Sequence, residues 1–111
     1  MAELIVALDV PSVDGARRLL DQLPGLRWAK IGPMLLLAGG PDVVRECRAR
    51  EVRVFLDLKW HDIPNTVAGA VAAAGAIGAA LATVHLAGGA RMLAAAAEAR
   101  RLGHEPRVAL I

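Results

Sequence analysis

The sequence predicts an α/β fold, the N-terminal half of a (β/α)8 TIM barrel with about four βα units and the start of strand five. Short apolar segments alternate with longer amphipathic segments, which is typical of βα units joined into a parallel sheet. The apolar segments are nearly continuous, as expected of strands that helices cover. Eight such units need about 200 residues or more, whereas this chain has 111. We therefore expect residues 1–111 to be a single partial domain, the first half of the barrel.

The first part of the chain contains two predicted βα units. The first strand covers residues 4–9, and the first helix covers residues 12–23, with Ser12 in the N-cap position that serine favours. The second strand covers residues 27–32. The second helix covers residues 41–50 and starts with a proline, which suits a first helical turn.

The remainder contains two further units and the start of a fifth strand. The third strand covers residues 52–59, and a helix follows from Pro64 to about Ile77. The fourth strand covers residues 80–86. A helix follows over about residues 90–102, and a glycine directly after it occupies the position of a C-cap. The last five residues begin the fifth strand.

The composition excludes several classes of protein. Hydrophobic residues make up 56% of the sequence, enough for a packed core, and the net charge is only +2 with scattered arginines, which argues against nucleic-acid binding. Cys47 is the single cysteine, so a disulfide framework and a cysteine-based zinc site are excluded and a cytoplasmic location fits. Residues 67–84 lack charge, but alanine and glycine dominate them, which favours a buried helix and strand over a membrane span.

Each of the first four predicted strands places a polar or ionisable side chain at its carboxyl end. These residues are Asp9, Lys30, Asp57 with Lys59, and His85. Ligands bind at that end of the strands in parallel α/β folds. Asp57 and Lys59 are two positions apart and share a face of their strand. Together with Lys30 and Asp62 they predict an array of alternating charges, in which each group keeps its neighbours ionised.

Such an array suits a decarboxylation that uses no cofactor. A carboxylate in a ligand pocket repels the carboxylate of a bound substrate, and this repulsion disappears as CO2 leaves. A neighbouring ammonium group can then protonate the carbon that remains. A general-base role for the carboxylates is the alternative, and a lone Asp–Lys pair is often only a solvated strand end.

Several candidate residues also have a purely structural interpretation. His85 suits a structural hydrogen bond as well as a site, and His61 suits the surface. Asp62 can act as the N-cap of the helix that starts at Pro64. Asn65 and Thr66 can be ordinary polar residues of its first turn.

The segment "FLDLKWHDIPNTV", residues 55–67, closely resembles the signature of the orotidine 5′-monophosphate decarboxylase family. The segments "LIVALDV", "AKIG" and "TVHLAGG" resemble the first, second and fourth barrel strands of that family. The short pattern D-x-K-x-x-D also occurs in sister sugar-phosphate enzymes, whereas the longer DLKxHDIPNT is specific to the orotidylate branch. Trp60 and Leu86 depart from the residues that are usual at their positions.

The resemblance implies a homodimer with shared active sites, in which orotidine 5′-monophosphate becomes uridine 5′-monophosphate and CO2 during pyrimidine biosynthesis, without metal or organic cofactor. Lys59 would be the proton donor in a catalytic network with Asp57 and Asp62. The residues implied to contact the substrate are Asp9, Lys30, Asp57, Lys59, Asp62, Ile63, Asn65, Thr66 and His85. Of these, Asp62, Ile63 and Thr66 would reach into the site of the partner subunit.

Two alternatives to this function remain open. The first is a sister decarboxylase or aldolase that acts on a sugar phosphate with the help of a metal ion. The second is a half-barrel without catalytic activity. The phosphate-binding residues of the family lie on later strands, so we expect the 111-residue chain alone to have little or no decarboxylase activity.

Overall fold

Five parallel strands form one sheet, in which neighbouring strands follow one another in the chain. The computed structural model describes residues 2–111. The strands are β1 (Ile5–Ala7), β2 (Trp28–Ile31), β3 (Arg53–Trp60), β4 (Leu81–Val84) and β5 (Arg107–Leu110). All five predicted strands are present, most of them one to three residues shorter than predicted. The prediction of a parallel α/β sheet is confirmed.

Five helices connect these strands. They are α1 (Val13–Asp21), α2 (Pro33–Gly39), α3 (Pro41–Ala49), α4 (Pro64–Ile77) and α5 (Ala90–Gly103), with a 3₁₀ turn over Leu86–Gly88. Helix α2 was not predicted, because seven mostly apolar residues are too few to display a helical period. Its signal in the sequence is a proline in the first turn after a glycine. Gly40, with φ of +61°, separates α2 from α3.

The helix ends confirm some predicted caps and correct others. Ser12 caps α1, since its hydroxyl accepts a hydrogen bond of 3.0 Å from the backbone N–H of Gly15. The N-cap of α4 is Ile63, so the interpretation of Asp62 as this cap is wrong by one position. Helix α5 runs through Gly103, and His104 takes the left-handed conformation at its end, so the predicted glycine cap is also wrong.

The hydrophobic core lies between the helices and one face of the sheet. On β3, Val54 and Leu56 are buried and pack against residues such as Ile31 of the neighbouring strand. The other face of β3 carries Phe55 and Asp57, which are only half-buried. This division of the two faces is the one that the sequence predicts, and it places the charged residues outside the apolar core.

The uncharged segment 67–84 folds into most of α4 and all of β4, as predicted. Val67 and Val71 are buried against Met92 of α5, which explains the lack of charge in this part of the chain. Burial of each such side chain contributes about 1.5–3 kcal/mol to stability. No helix within residues 2–111 has the length and hydrophobicity needed to cross a membrane.

The close approach of α4 to the segment before β5 leads to a prediction about two glycines of the same helix. A Cβ atom on Gly75 would overlap the carbonyl oxygen of Glu105, whereas a Cβ atom on Gly69 would meet nothing within 4 Å. We expect Gly75→Ala to destabilise the chain by roughly 1–3 kcal/mol, as overpacking does. Thermal unfolding followed by circular dichroism measures this change.

Gly69→Ala is the matched control for that experiment. It adds the same methyl group to the same helix in open space, and the higher helix propensity of alanine should raise stability by roughly 0.5–1 kcal/mol. Equal melting temperatures for the two variants would contradict the packing of α4 described above.

Candidate active site

The carboxyl end of β3 departs from regular pairing with β4. Leu56 lies opposite Ala82 and Trp60 lies opposite Val84, so three β3 residues face the single β4 residue between them. Such a bulge bends a strand and redirects its side chains. Lys59, within the bulge, has φ of +54°, a left-handed conformation that costs a non-glycine residue roughly 1–3 kcal/mol.

Three of the charged residues predicted from the sequence meet at this strand end. The Nζ atom of Lys59 lies 2.9 Å from Oδ2 of Asp57, and the Nζ atom of Lys30 lies 3.6 Å from the same oxygen. The Asp57 side chain is 12% exposed, whereas the Lys59 side chain is 50% exposed. The carboxylate is therefore held among the strands, while the Lys59 ammonium remains accessible to a ligand.

Thr83 of β4 completes this group and is not among the site residues predicted from the sequence. Its hydroxyl donates a hydrogen bond of 2.9 Å to Oδ1 of Asp57 and accepts one of 3.0 Å from the backbone N–H of Lys59. Within residues 2–111 it is the one buried polar side chain, at 2% exposure. A polar residue inside an apolar strand, two positions before His85 and on the same face, is the signal that would have found it.

The pKa of Asp57 lies below its usual value. Partial burial alone would raise the pKa, but hydrogen bonds from Lys59 and Thr83 and the charges of Lys59 and Lys30 outweigh it. A carboxylate with a lowered pKa stabilises the folded state at neutral pH. That contribution is complete above about pH 4 and is lost as the pH falls through the lower pKa of the folded chain.

A cleft of about 360 Å³ opens beside Lys59, between the ends of β3 and β4 and the first turns of α4. Its polar lining includes Lys59, His61, Asp62, Thr66 and His85. The rings of His61 and His85 lie 5.5 Å apart between centroids, and the backbone N–H of His85 donates to the carbonyl of Trp60. An ammonium group, two imidazoles and a hydroxyl suit a polar or anionic ligand.

A larger cavity, of about 540 Å³, lies at the amino ends of β1 and β2, where Arg27 pairs with Glu3. The smaller cleft is the better candidate for an active site. It lies at the carboxyl ends of β3 and β4, where parallel α/β folds bind ligands, and Lys59 is the member of the charged array that lines it. No group of three or more His, Cys, Asp or Glu side chains in the described part of the chain could hold a metal ion.

Other predicted site residues are not joined to the array within this chain. Asp9 is exposed, and among residues 2–111 no hydrogen bond or ion pair to its side chain is found. The carboxylate of Asp62 accepts a hydrogen bond of 2.7 Å from the backbone N–H of Ile63. It forms no ion pair with a lysine of the described range. Ile63 is 65% exposed, and Asn65 and Thr66 are exposed on the first turn of α4. Three of the four charges predicted to alternate thus meet within one chain.

Comparison with protein families gives a match over nearly all of the chain. The model of the family described as Orotidine 5′-phosphate decarboxylase / HUMPS matches residues 2–111. A protein of Nitratidesulfovibrio vulgaris named orotidine 5′-phosphate decarboxylase is 54% identical over 88% of this chain, and that match covers 42% of the relative. A protein of the same name from Synechococcus sp. is 48% identical over 91% of this chain and 42% of its own length. The chain thus spans less than half the length of these relatives.

Solved structures confirm that the fold is half of a TIM barrel. Orotidine 5′-phosphate decarboxylase from Lactobacillus acidophilus matches 99% of this chain with a TM-score of 0.89 and 32% identity, over 52% of its own length. An uncharacterized conserved protein from Geobacillus kaustophilus has the same TM-score, with 41% identity over 96% of this chain and 52% of its own.

The contacts of Asp57 predict how its ionisation responds to the loss of Lys59. Lys59→Ala removes a hydrogen bond and a charge that lower the pKa of Asp57, and leaves the opposing effect of burial. We therefore expect this pKa to rise in the variant. NMR titration of the Asp57 carboxyl carbon measures it, and Arg45→Ala, which removes an exposed partner of Asp42 on α3, is the control. An Asp57 pKa that is equal in Lys59→Ala and in the unaltered chain would contradict the described contacts.

Proposed function

Since the chain belongs to the Orotidine 5′-phosphate decarboxylase / HUMPS family, we propose that it supplies the charged groups of an active site that converts orotidine 5′-monophosphate to uridine 5′-monophosphate and CO2. The observation that carries the proposal is the ammonium–carboxylate–ammonium array of Lys59, Asp57 and Lys30 at the strand ends. The names of the relatives, which are 48–54% identical to this chain over the matched segment, support the choice of substrate.

In the proposed reaction, Asp57 destabilises the bound substrate and Lys59 protonates the carbon that CO2 leaves. The ionised carboxylate of Asp57 faces the carboxylate of the substrate and repels it, and this repulsion is relieved as the bond to CO2 breaks. The electron pair of that bond remains on the pyrimidine carbon. The Lys59 ammonium stabilises the developing charge and transfers a proton to this carbon, which leaves a neutral amine that regains its proton from water.

The lowered pKa of Asp57 supports this assignment, because the proposal requires a carboxylate that stays ionised beside a second negative charge. The 50% exposure of Lys59 supports its role as well, because its ammonium must reach the substrate. We assign the ribose to Lys30 and Asp9, and further contacts with the substrate to Asn65 and His85. Phosphate contacts remote from the reacting carbon would supply binding energy for the reaction, and we assign them to residues outside this chain.

We further propose a homodimer in which Asp62, Ile63 and Thr66 enter the active site of the partner subunit. Two features support this proposal. Ile63 is an exposed apolar side chain beside the cleft, at 65% exposure, and burial against a second subunit would stabilise it. The carboxylate of Asp62 is exposed and has no lysine partner among residues 2–111, so it is free to pair with one from another subunit.

The first test of the proposed function is the removal of the Lys59 ammonium group. The assay uses a chimera in which residues 2–111 replace the matching segment of the Nitratidesulfovibrio vulgaris relative. We expect Lys59→Ala to lower kcat by roughly 10³-fold or more, because both the proton donor and the stabilising charge are lost. The decrease in orotidine 5′-monophosphate absorbance measures the rate, and circular dichroism verifies the fold.

Three controls define the outcome. Arg45→Ala on the exposed face of α3 should leave kcat unchanged. The 111-residue chain alone should show no measurable turnover, and turnover by it would contradict the assignment of phosphate binding to other residues. Near-normal turnover by the Lys59→Ala chimera would remove Lys59 from the mechanism. Turnover of a sugar phosphate that requires Mg²⁺, instead of orotidine 5′-monophosphate, would favour the sister enzymes.

The second test concerns the shared active sites. Chimeras with Lys59→Ala and with Asp62→Ala should each be nearly inactive, because each lacks one member of every site. After the two are unfolded together and refolded, about a quarter of the sites should be intact, since half of the dimers are hybrids with one complete site each. Activity that stays at the level of the separate variants would contradict a shared site.

A further inference from the structure

We infer that Thr83 is a positioning residue for the charged array of Lys59, Asp57 and Lys30, and that its hydroxyl group fixes both the Asp57 carboxylate and the Lys59 backbone. This inference rests on the proposed function for its effect on the reaction rate. The contacts themselves are independent of any substrate.

The hydrogen bonds of Thr83 have a single possible direction. A hydroxyl group has one proton to donate, and the backbone N–H of Lys59 can only donate, so the Thr83 oxygen accepts from Lys59 at 3.0 Å. The hydroxyl proton is then directed to Oδ1 of Asp57 at 2.9 Å. An ionised carboxylate only accepts, so the two bonds reinforce each other.

This arrangement divides the two oxygens of Asp57 between separate partners. Oδ1 accepts from Thr83, and Oδ2 faces the ammonium groups of Lys59 at 2.9 Å and Lys30 at 3.6 Å. Rotation of the carboxylate about the Cβ–Cγ bond of Asp57 would break its hydrogen bond with Thr83. The hydroxyl therefore holds Oδ2 toward the two lysines.

Thr83 also supports the strained backbone of Lys59. The left-handed conformation of Lys59, with φ of +54°, persists only where surrounding contacts stabilise it. The bond from the Lys59 N–H to Thr83 takes the place of a regular strand-to-strand bond at the bulge. The Thr83 hydroxyl thus fixes the backbone from which the Lys59 side chain extends. It also fixes the Asp57 carboxylate, which the Lys59 ammonium contacts.

The position of Thr83 makes it a rigid support. Its side chain is 2% exposed, and its neighbours Ala82 and Val84 are fully buried. The strand that carries it pairs with β3 on one side and with β5 on the other, where Thr83 lies opposite Ala109. A residue held on both sides has little freedom to follow a displaced partner.

Thr83→Val tests the inference, because valine has nearly the shape of threonine and lacks the hydroxyl. In the chimera described above, we expect kcat to fall by about 10²-fold with little change in KM, as misplacement of reacting groups produces. In the 111-residue chain, we expect the pKa of Asp57 measured by NMR to rise, because one stabilising hydrogen bond is lost. Thr83→Ser keeps the hydroxyl and should restore both values.

Val71→Ala is the control for a loss of stability alone. Val71 is fully buried in the core between α4 and α5, and no hydrogen bond or ion pair links it to the charged array. It should lower the melting temperature and leave both kcat and the Asp57 pKa unchanged. If Thr83→Val does not fold, Thr83→Ala serves as the second variant, with the same expected changes.

The NMR titration separates this inference from the proposed function. If the chimera does not decarboxylate orotidine 5′-monophosphate, the proposed function fails, while a higher Asp57 pKa in Thr83→Val still supports the positioning role. An unchanged Asp57 pKa, or a kcat in an active chimera that stays within about two-fold of the unaltered one, would overturn the inference. A Thr83→Ser variant as impaired as Thr83→Val would overturn it too.

Discussion

The candidate site depends on one carboxylate, that of Asp57, whose side chain is 12% exposed. Its ionisation depends on its partial burial and on three contacts, with the Lys59 ammonium, the Thr83 hydroxyl and the Lys30 ammonium. Burial alone favours a neutral acid, and the three partners reverse this effect, which keeps the charge in place. Without that charge the two lysines would repel each other, and the strand ends of β2 and β3 would lose their common partner. The electrostatics of the site therefore rest on a group that is mostly shielded from water.

The fold and the site impose different demands on the same strand. One face of β3 packs Val54 and Leu56 into the core, where apolar burial supplies stability. The bulge at its carboxyl end gives up regular pairing and forces Lys59 into a strained conformation. Strain of roughly 1–3 kcal/mol persists at this point because the surrounding sheet is well packed. Stability and strain are thus separated along a strand of eight residues.

Some signals in the sequence are sufficient to predict the elements of the fold, and others are not. The order of strands and helices follows from apolar periods and from residues such as Ser12 and Pro64, because these act through local backbone geometry. Helix α2 is not predicted, because its seven residues are too few to display a helical period. The observed caps lie one residue beyond Asp62 and Gly103, because neighbouring residues compete for the cap position. The segment around Lys59 identified the family by its pattern, with no need of coordinates.

The sequence by itself determined that Asp57 and Lys59 share a strand face, because side chains alternate along a strand. It also determined that polar groups collect at the carboxyl ends of the strands, because parallel strands bring these ends to one edge of the sheet. Only the tertiary structure decided that Lys30 reaches Asp57, that Asp62 does not reach a lysine of its own chain, and that Thr83 binds both Asp57 and Lys59. These contacts depend on strand register and on the bulge opposite Thr83. Register is set by the packing of all the strands together, and a local pattern does not contain it.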